Sequence, residues 1–483
     1  MSERVVNAKL STLEASGLSL AGLAPTMALA LGTSFAASEA GPAVPFAYLV
    51  AMFGSFSLAY VIVRFARRYD VASGVAFTYA GRSLGRLAGF VAGWVYVTAW
   101  LSSTAVVLGV ASVSASALLQ RHSINVSWFW IFLVLLILAT AVNFVGVKPS
   151  VRLLVVLELV SMATLGGLMV YVLAKGGANG LSWKPFDPSL SPKGLSGIGY
   201  GMIYGFAGFA GFEAAAALGR DSRDPARVIP RAIVFSLIGA ALFFILCTYA
   251  LSVGYGVTHS SRWAADAAPL DTIVGLYAGS AWAQIVDAMV VVSAFSSGLG
   301  LMSLTSRILF EIGSHKQAPG VFARRHARFG TPFIGIVFAS LVALVLAGAV
   351  GEGTNVTTMI GVLAGANTLG LILIYGLLAI GILVDRRERA WAVTRSGSVR
   401  MASAVVPVIA LVLLGYAFYA SLFPRPPFPF SLEPYLVGAV LLLVLLGAWA
   451  LKRRGSGLDF VSAATESEER SLTDVVPAGD ATL

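Results

Sequence analysis

Four carboxylates fall inside or beside long apolar stretches of this chain: Glu39, Glu158, Glu213 and Asp287. A carboxylate held away from water can carry a proton, bind a cation or accept hydrogen bonds from neighbouring helices. At the centre of a bilayer a charged group costs about 2.5–3.5 kcal/mol on insertion scales, so it faces an interior or a water path. Glu158 is centred in "LLVVLELVSM" with no basic residue at adjacent helical positions. Its partner must therefore come from another helix, a bound cation or a proton. Glu213 lies two residues beyond Gly211 in "GFAGFAGFE" and is the best placed of the four to carry a proton. Glu39, beside "AGP", reads as a span end, and Asp287, shortly after Trp282, as lying nearer a surface.

The other reactive residues do not assemble into further chemistry. Cys247 is the single cysteine, which excludes an intrachain disulfide and a cysteine-built metal site. His122, His259, His315 and His326 are scattered through connecting segments without metal-ligand spacing, and all four read as surface residues. The loops hold no nucleophile–base pair, and the acids are too dispersed for a paired-carboxylate site. Neither an enzyme nor a cofactor nor a metal centre is expected.

The elements that must position these acids are membrane helices. Of 483 residues 58% are hydrophobic and only 12% charged, against about 25% charge in ordinary soluble domains. The mean hydropathy is +0.85. Apolar stretches long enough to cross a bilayer as helix recur throughout, at 18–38, 43–64, 86–118, 127–146, 152–174, 197–219, 232–256, 281–310, 332–350, 356–384, 401–421 and 432–451. The spacing predicts an all-α integral membrane protein of about twelve crossings. The N-terminal segment lacks an early apolar core and is expected to be retained rather than cleaved.

Charge fixes an orientation. With the N-terminus in the cytoplasm, all of the 33 lysines and arginines except Arg121, Lys175, Lys184, Lys193, Arg262 and Arg425 fall on the cytoplasmic side. That bias is the mark of cytoplasmic retention of basic loops. It accounts for the net charge of +10 without a nucleic-acid partner, with anionic lipid the expected contact. Both termini are expected inside.

Two spans are interrupted. In "GLAPTMALALGTSFAASEAGP" Pro25 lacks an amide proton and should kink or unwind the first span unless it opens a helical turn. The sixth span carries Gly205, Gly208 and Gly211. Unpaired backbone cannot face lipid but can line a cavity, and broken helices that converge near mid-membrane form substrate sites in secondary transporters. The two interruptions open the first and sixth spans, where an inverted repeat of five plus five helices places equivalent elements. The expected organisation is a cytoplasmic N-terminus (1–16), a first repeat of spans one to five (17–174), a second of spans six to ten (197–384), spans eleven and twelve (401–451) and a disordered cytoplasmic tail (452–483).

Several motifs carry a family resemblance from about residue 16 to 450. "FAGFE" at Phe209–Glu213 followed by "LGRDSRDPARVIPRAI" at Leu218–Ile233, "AGP" at Ala40–Pro42, the stretch Phe65–Trp94, "SRILFEIG" at Ser306–Gly313 and "RRHARFGTP" at Arg324–Pro332 occur in order. The chain resembles the amino acid–polyamine–organocation superfamily of secondary transporters. It departs at Arg220, where the family has an acid, at Asp70, which replaces a frequent proline, and at "SHKQAP". The resemblance implies that Ala24, Pro25, Thr26, Met27 and Ala28 bind a substrate carboxylate through backbone amides, with Thr26 adding a hydroxyl. It implies that carbonyls around Phe209, Ala210 and Gly211 receive the amino group, and that Phe206, Phe209 and Tyr96 act as gates. Glu158 stands where the family has a proton-responsive lysine, so with Glu213 it is assigned to coupling and gating. Ser296 and Ser297 resemble the neighbourhood of a cation site in sodium-coupled relatives.

The expected function is proton-coupled uptake of a small amino acid across the plasma membrane. A polyamine or organic-cation carrier is the alternative within transport, and a non-transporting membrane sensor the alternative from another class.

Overall fold

A computed structural model describes residues 11–67, 75–146, 151–212, 224–314, 317–351, 353, 355–385 and 397–453. Their regular secondary structure is entirely helical, with no strand among the described residues. In chain order the helices are α1 (Thr12–Leu23), α2 (Pro25–Ala40), α3 (Val44–Ala66), α4 (Val75–Leu84), α5 (Arg86–Arg121), α6 (Trp128–Val145), α7 (Val151–Ala174) and α8 (Gly194–Phe209). They continue with α9 (Pro225–Tyr255), α10 (Ser260–Ala265), α11 (Pro269–Ala278), α12 (Ser280–Ser314), α13 (Phe333–Leu346), α14 (Val356–Val384), α15 (Gly397–Ala420) and α16 (Glu433–Arg453).

Ten helical runs among the described residues are long and apolar enough to cross a membrane. The sequence predicts twelve, and the difference arises at two places. The run Pro25–Ala66 joins α2 to α3 through a 3₁₀ turn at Gly41–Ala43 and covers parts of both expected first spans. The expected sixth span stops early, because α8 ends at Phe209 after 16 residues. At about 1.5 Å rise per residue α5 and α12, of 36 and 35 residues, exceed a hydrocarbon core of about 30 Å and must tilt or protrude.

The bundle is apolar outside as well as inside. α6 turns Trp130, Val134 and Ile137 outward, and α16 does the same with Leu442, Leu443 and Trp449. In water such faces would be a liability; in lipid they are the solvated surface. Inside, α5 runs along α12 and α14, α2 lies along α8, and α3 packs on α8 and α9. Close approach is bought with glycine where it counts: a Cβ on Gly298 of α12 would fall 2.9 Å from the Leu108 side chain of α5.

Pro225 and Pro230 would be expected to limit regular helix, yet α9 opens on the first and runs through the second. Pro225 occupies the first turn, where its missing amide has no intrahelical acceptor. Pro230 forfeits one bond, offset by burial of Val228, Ile229, Ala232 and Ile233. His326 also differs from expectation. Its ring stacks on Phe329 at 4.9 Å and meets the edges of Phe144 and Phe333, so it is part of an aromatic cluster rather than a free surface group.

Candidate functional site

The first interruption is a true break. α1 ends at Leu23, Ala24 takes left-handed dihedrals (φ 45°, ψ 60°), and Pro25 opens α2. Proline suits that position because its ring presets a helical φ and it brings no amide to satisfy. The hydrogen-bond ladder restarts with Ala28 N–H donating to the Ala24 carbonyl at 3.0 Å. At the other interruption α8 is followed by Ala210 in extended conformation (ψ 138°) and by Gly211 at φ 101°, a region that favours glycine.

The two breaks meet. A Cβ on Gly211 would lie 3.7 Å from the Gly22 carbonyl oxygen, and one on Gly208 3.8 Å from the Ala28 side chain. Ser19 of α1 donates to the Phe212 carbonyl at 3.3 Å, tying the segments beyond the breaks together.

Between them lies a cavity. The breaks contribute Gly22, Leu23, Met27, Ala28 and Ala210, and α8 adds Tyr204, Ala207 and Gly208. Trp100, Ser103, Val106, Val107 and Val110 of α5 line it, as do Ser297 and Leu301 of α12. α14 contributes Ile360, Ala364, Asn367, Thr368 and Leu371, and α2 closes one end with Leu31, Gly32 and Phe35. Among the described residues the lining contains no charged side chain. Its polar groups are few. Asn367 Nδ2 donates to Ser103 Oγ at 3.0 Å, and Ser102 Oγ donates to Asn367 Oδ1 at 2.6 Å. Trp100 Nε1 is buried with no hydrogen-bond partner among the described residues.

Glu158 lies at the joint of the first break. It is 5% exposed, and its Oε1 accepts from the Thr26 amide at 3.1 Å. The hydroxyls of Thr26 and Ser293 are buried near the same carboxylate, and neither has a hydrogen-bond partner among the described residues. Glu158 makes no ion pair among the described residues. One side chain of α7 thus caps the start of α2.

Of the other residues singled out in the sequence, Met27, Ala28, Ala210 and Ser297 line the cavity, whereas Ala24, Pro25 and Thr26 are buried behind it. Phe206 fills the space over Gly54 of α3, where a Cβ would fall 2.6 Å from its ring. Phe209 packs edge-on against Phe244 of α9, with centroids 5.1 Å apart, and Tyr96 edge-on against Trp100 at 5.5 Å. Ser296 neighbours Ser297 on α12 and is outside the lining. Glu213 lies outside the described residues. Glu39, the penultimate residue of α2, is in an ion pair with Lys193 at 2.6 Å. Asp287 shares Arg121 with Asp271, at 3.7 and 2.5 Å. Burial pushes the Asp271 carboxyl up from its ordinary value, and the Arg121 guanidinium opposes this.

Sequence reasoning missed Asn367, Trp100, Tyr204, Ser293 and Glu433. Ser293 could have been found from Ser297, which lies four residues, about one helical turn, further along α12.

Comparison with known proteins agrees with this architecture. The chain matches the amino acid permease family over residues 16–456. It is 30% identical to an uncharacterised transporter of Mycobacterium tuberculosis, over 70% of this chain and 74% of the relative. It is 26% identical to a branched-chain amino acid permease of Lactococcus lactis subsp. cremoris, over 70% and 75%. It is 28% identical to a low-affinity putrescine importer of Escherichia coli K12, over 62% and 66%. An all-helical membrane bundle with its first helix broken at Pro25 and a match along nine-tenths of its length place the chain in the amino acid permease family, as a membrane transporter and not an enzyme.

Proposed function

We propose that this permease takes up a small neutral amino acid with an apolar side chain across the plasma membrane, coupled to protons. The supporting observation is a cavity held between two helix breaks and lined, among the described residues, by no charged side chain. Backbone dipoles at a break can hold a zwitterion, with amides toward its carboxylate and carbonyls toward its amine. Val106, Val107, Val110, Leu301 and Ile360 supply an apolar wall for the side chain, and Asn367 with Ser103 a single polar patch.

In this reading the chain crosses the membrane twelve times with both termini cytoplasmic. The core is a five-plus-five inverted repeat, and α1–α2 and α8 are its equivalent broken elements. Glu39 and Glu433 then lie toward the outside. Substrate binds among Ala24–Ala28 and Phe209–Gly211, with Tyr96, Phe206 and Phe209 supporting the elements that move. Glu158 carries the coupling proton, assisted by Glu213, and the Ser293–Ser296–Ser297 face of α12 completes its surroundings.

A polyamine is the second reading, favoured by the likeness to a putrescine importer. A dication needs anions in its site, and the cavity wall offers none among the described residues. Counterflow in proteoliposomes separates the two: labelled leucine or alanine should exchange, with putrescine not competing. Exchange of putrescine alone would reverse the assignment. Accumulation driven by sodium and indifferent to a pH gradient would overturn the proton coupling.

A further inference from the structure

The last helix begins with a carboxyl group in an unexpected place. Glu433, the first residue of α16, is 0% exposed. Its Oε1 accepts from the Tyr200 hydroxyl at 2.9 Å and from the Tyr204 hydroxyl at 3.4 Å, a hydroxyl shared with the Gly361 carbonyl of α14 at the same distance, and its Oε2 is buried with no hydrogen-bond partner among the described residues. The carboxyl presses on bare backbone of α14, since a Cβ on Gly365 would fall 2.3 Å from its Cδ.

One turn away on α14, Gly361 makes room for two rings: a Cβ there would meet Phe430 at 2.7 Å and Phe35 at 2.8 Å. Phe35 in turn packs on Tyr204, centroids 5.4 Å apart, and on Phe430 at 5.9 Å. Phe35 and Tyr204 line the cavity. The segment Phe430–Glu433 belongs to no part of the five-plus-five core, yet it supplies the layer directly over the cavity's end. Other groups facing Glu433 are Tyr200 and Tyr204 from α8 and, from α2, Glu39, which is already paired with Lys193.

We propose that Glu433 is the latch of the outer gate. By accepting from both tyrosines it holds the outer half of α8 against α14 and keeps Tyr204 over the cavity, so outward opening must first break these hydrogen bonds. Glu433 touches no substrate; it is a positioning residue that acts through Tyr204. A purely structural role at this point is poorly served by a carboxyl group. It is costly to bury away from water, and an oxygen left without a partner weakens the closed arrangement. A gate must be closed by a margin small enough to be reversed.

The proposal rests on the transport reading for its meaning and for which side is outside. Its test needs neither substrate nor ion gradient. In a Cys247→Ala background, Ala207→Cys places a thiol on the cavity wall, and a membrane-impermeant maleimide applied to right-side-out vesicles reads opening of the outer gate. Glu433→Leu should raise the modification rate about tenfold, the effect of losing a buried hydrogen bond on a two-state equilibrium. Tyr200→Phe/Tyr204→Phe should do the same while leaving the carboxyl in place. Glu433→Gln, which keeps an acceptor oxygen, should stay near the parent. The double tyrosine variant keeps the test available if Glu433→Leu does not fold. Rates within twofold of the parent in a folded variant, or acceleration seen only in inside-out vesicles, would overturn the proposal. Failed counterflow with these rates intact would instead count against the transport reading.

Discussion

The backbone amide of Thr26 donates to Glu158 Oε1 at 3.1 Å, so a side chain from α7 closes the first turn of α2. A helix that starts abruptly leaves amides pointing at nothing, and its positive end favours a negative partner. Here that partner comes from 132 positions away in sequence. The first break in the chain and the carboxyl proposed to carry the coupling proton therefore meet in one buried contact.

Removing the acceptor and removing the exchangeable proton should have different effects. Glu158→Ala strands the Thr26 amide, at about 1–3 kcal/mol, and the detergent-purified protein should unfold at a lower temperature. Glu158→Gln keeps an acceptor for the amide but cannot release a proton. It should fold and exchange substrate in counterflow, yet fail to accumulate it under a pH gradient. Parental accumulation by Glu158→Gln would remove this residue from coupling.

Two glycines of similar helical setting should behave in opposite ways. Gly197 of α8 is buried, and a Cβ on it would fall 2.3 Å from the Glu39 carbonyl oxygen, an atom of backbone that cannot rotate aside. Gly197→Ala should destabilise by about 1–3 kcal/mol, the usual cost of overpacking. Gly415 of α15 has open space where its Cβ would be, and Gly415→Ala should be neutral or stabilise by up to about 1 kcal/mol through helix propensity. Thermal unfolding of the two variants side by side in one detergent checks both.

What the sequence made legible was local. Pro25 marks the first break because a proline can begin a helix but not continue one, and Gly211 marks the end of α8 because its φ of 101° suits no other residue well. What it hid was long-range. Asn367 reads as a lone amide in an apolar run, and its partner Ser103 is 264 positions away. Glu433 stands at the edge of a span beside a proline, where an acid ordinarily meets water; only α8 and α14 bury it. The cavity wall of α8 follows from helical geometry: Tyr204, Ala207 and Gly208 lie at i, i+3 and i+4 on one face. Phe206 is rotated away from that face onto α3.

Arg121 is shared by two buried acids, Asp271 and Asp287, and neither has another cation among the described residues. Truncating it should cost more than truncating either acid, because a buried charge stripped of its partner retains its full desolvation penalty. Arg121→Ala is expected to destabilise by about 2 kcal/mol, a value below the usual range for a buried pair because Arg121 is 32% exposed. Asp271→Asn combined with Arg121→Met should recover part of the loss. A double-mutant cycle on thermal unfolding supplies the coupling energy, and strict additivity would mean that the cluster contributes nothing as a unit.

Ala24 offers the most direct test of the break itself. An L-residue in left-handed conformation is strained by about 1–2 kcal/mol, and Ala24 at φ 45° is the only non-glycine besides Ser123 with positive φ among the described residues. Ala24→Gly removes that strain but adds freedom to the unfolded chain, which returns about 0.4–1 kcal/mol. The net gain should be small and positive, visible as a slightly higher unfolding temperature. Ala24→Val should be harmful on two grounds: a β-branched side chain tolerates positive φ poorly, and the site is 1% exposed with no room allotted. If Ala24→Val were as stable as the parent, residues 23–25 would have to adopt another conformation in the membrane, one with the helix unbroken. The amides of the α2 start would then be consumed in the ladder, leaving neither Glu158 nor a zwitterion anything to hold.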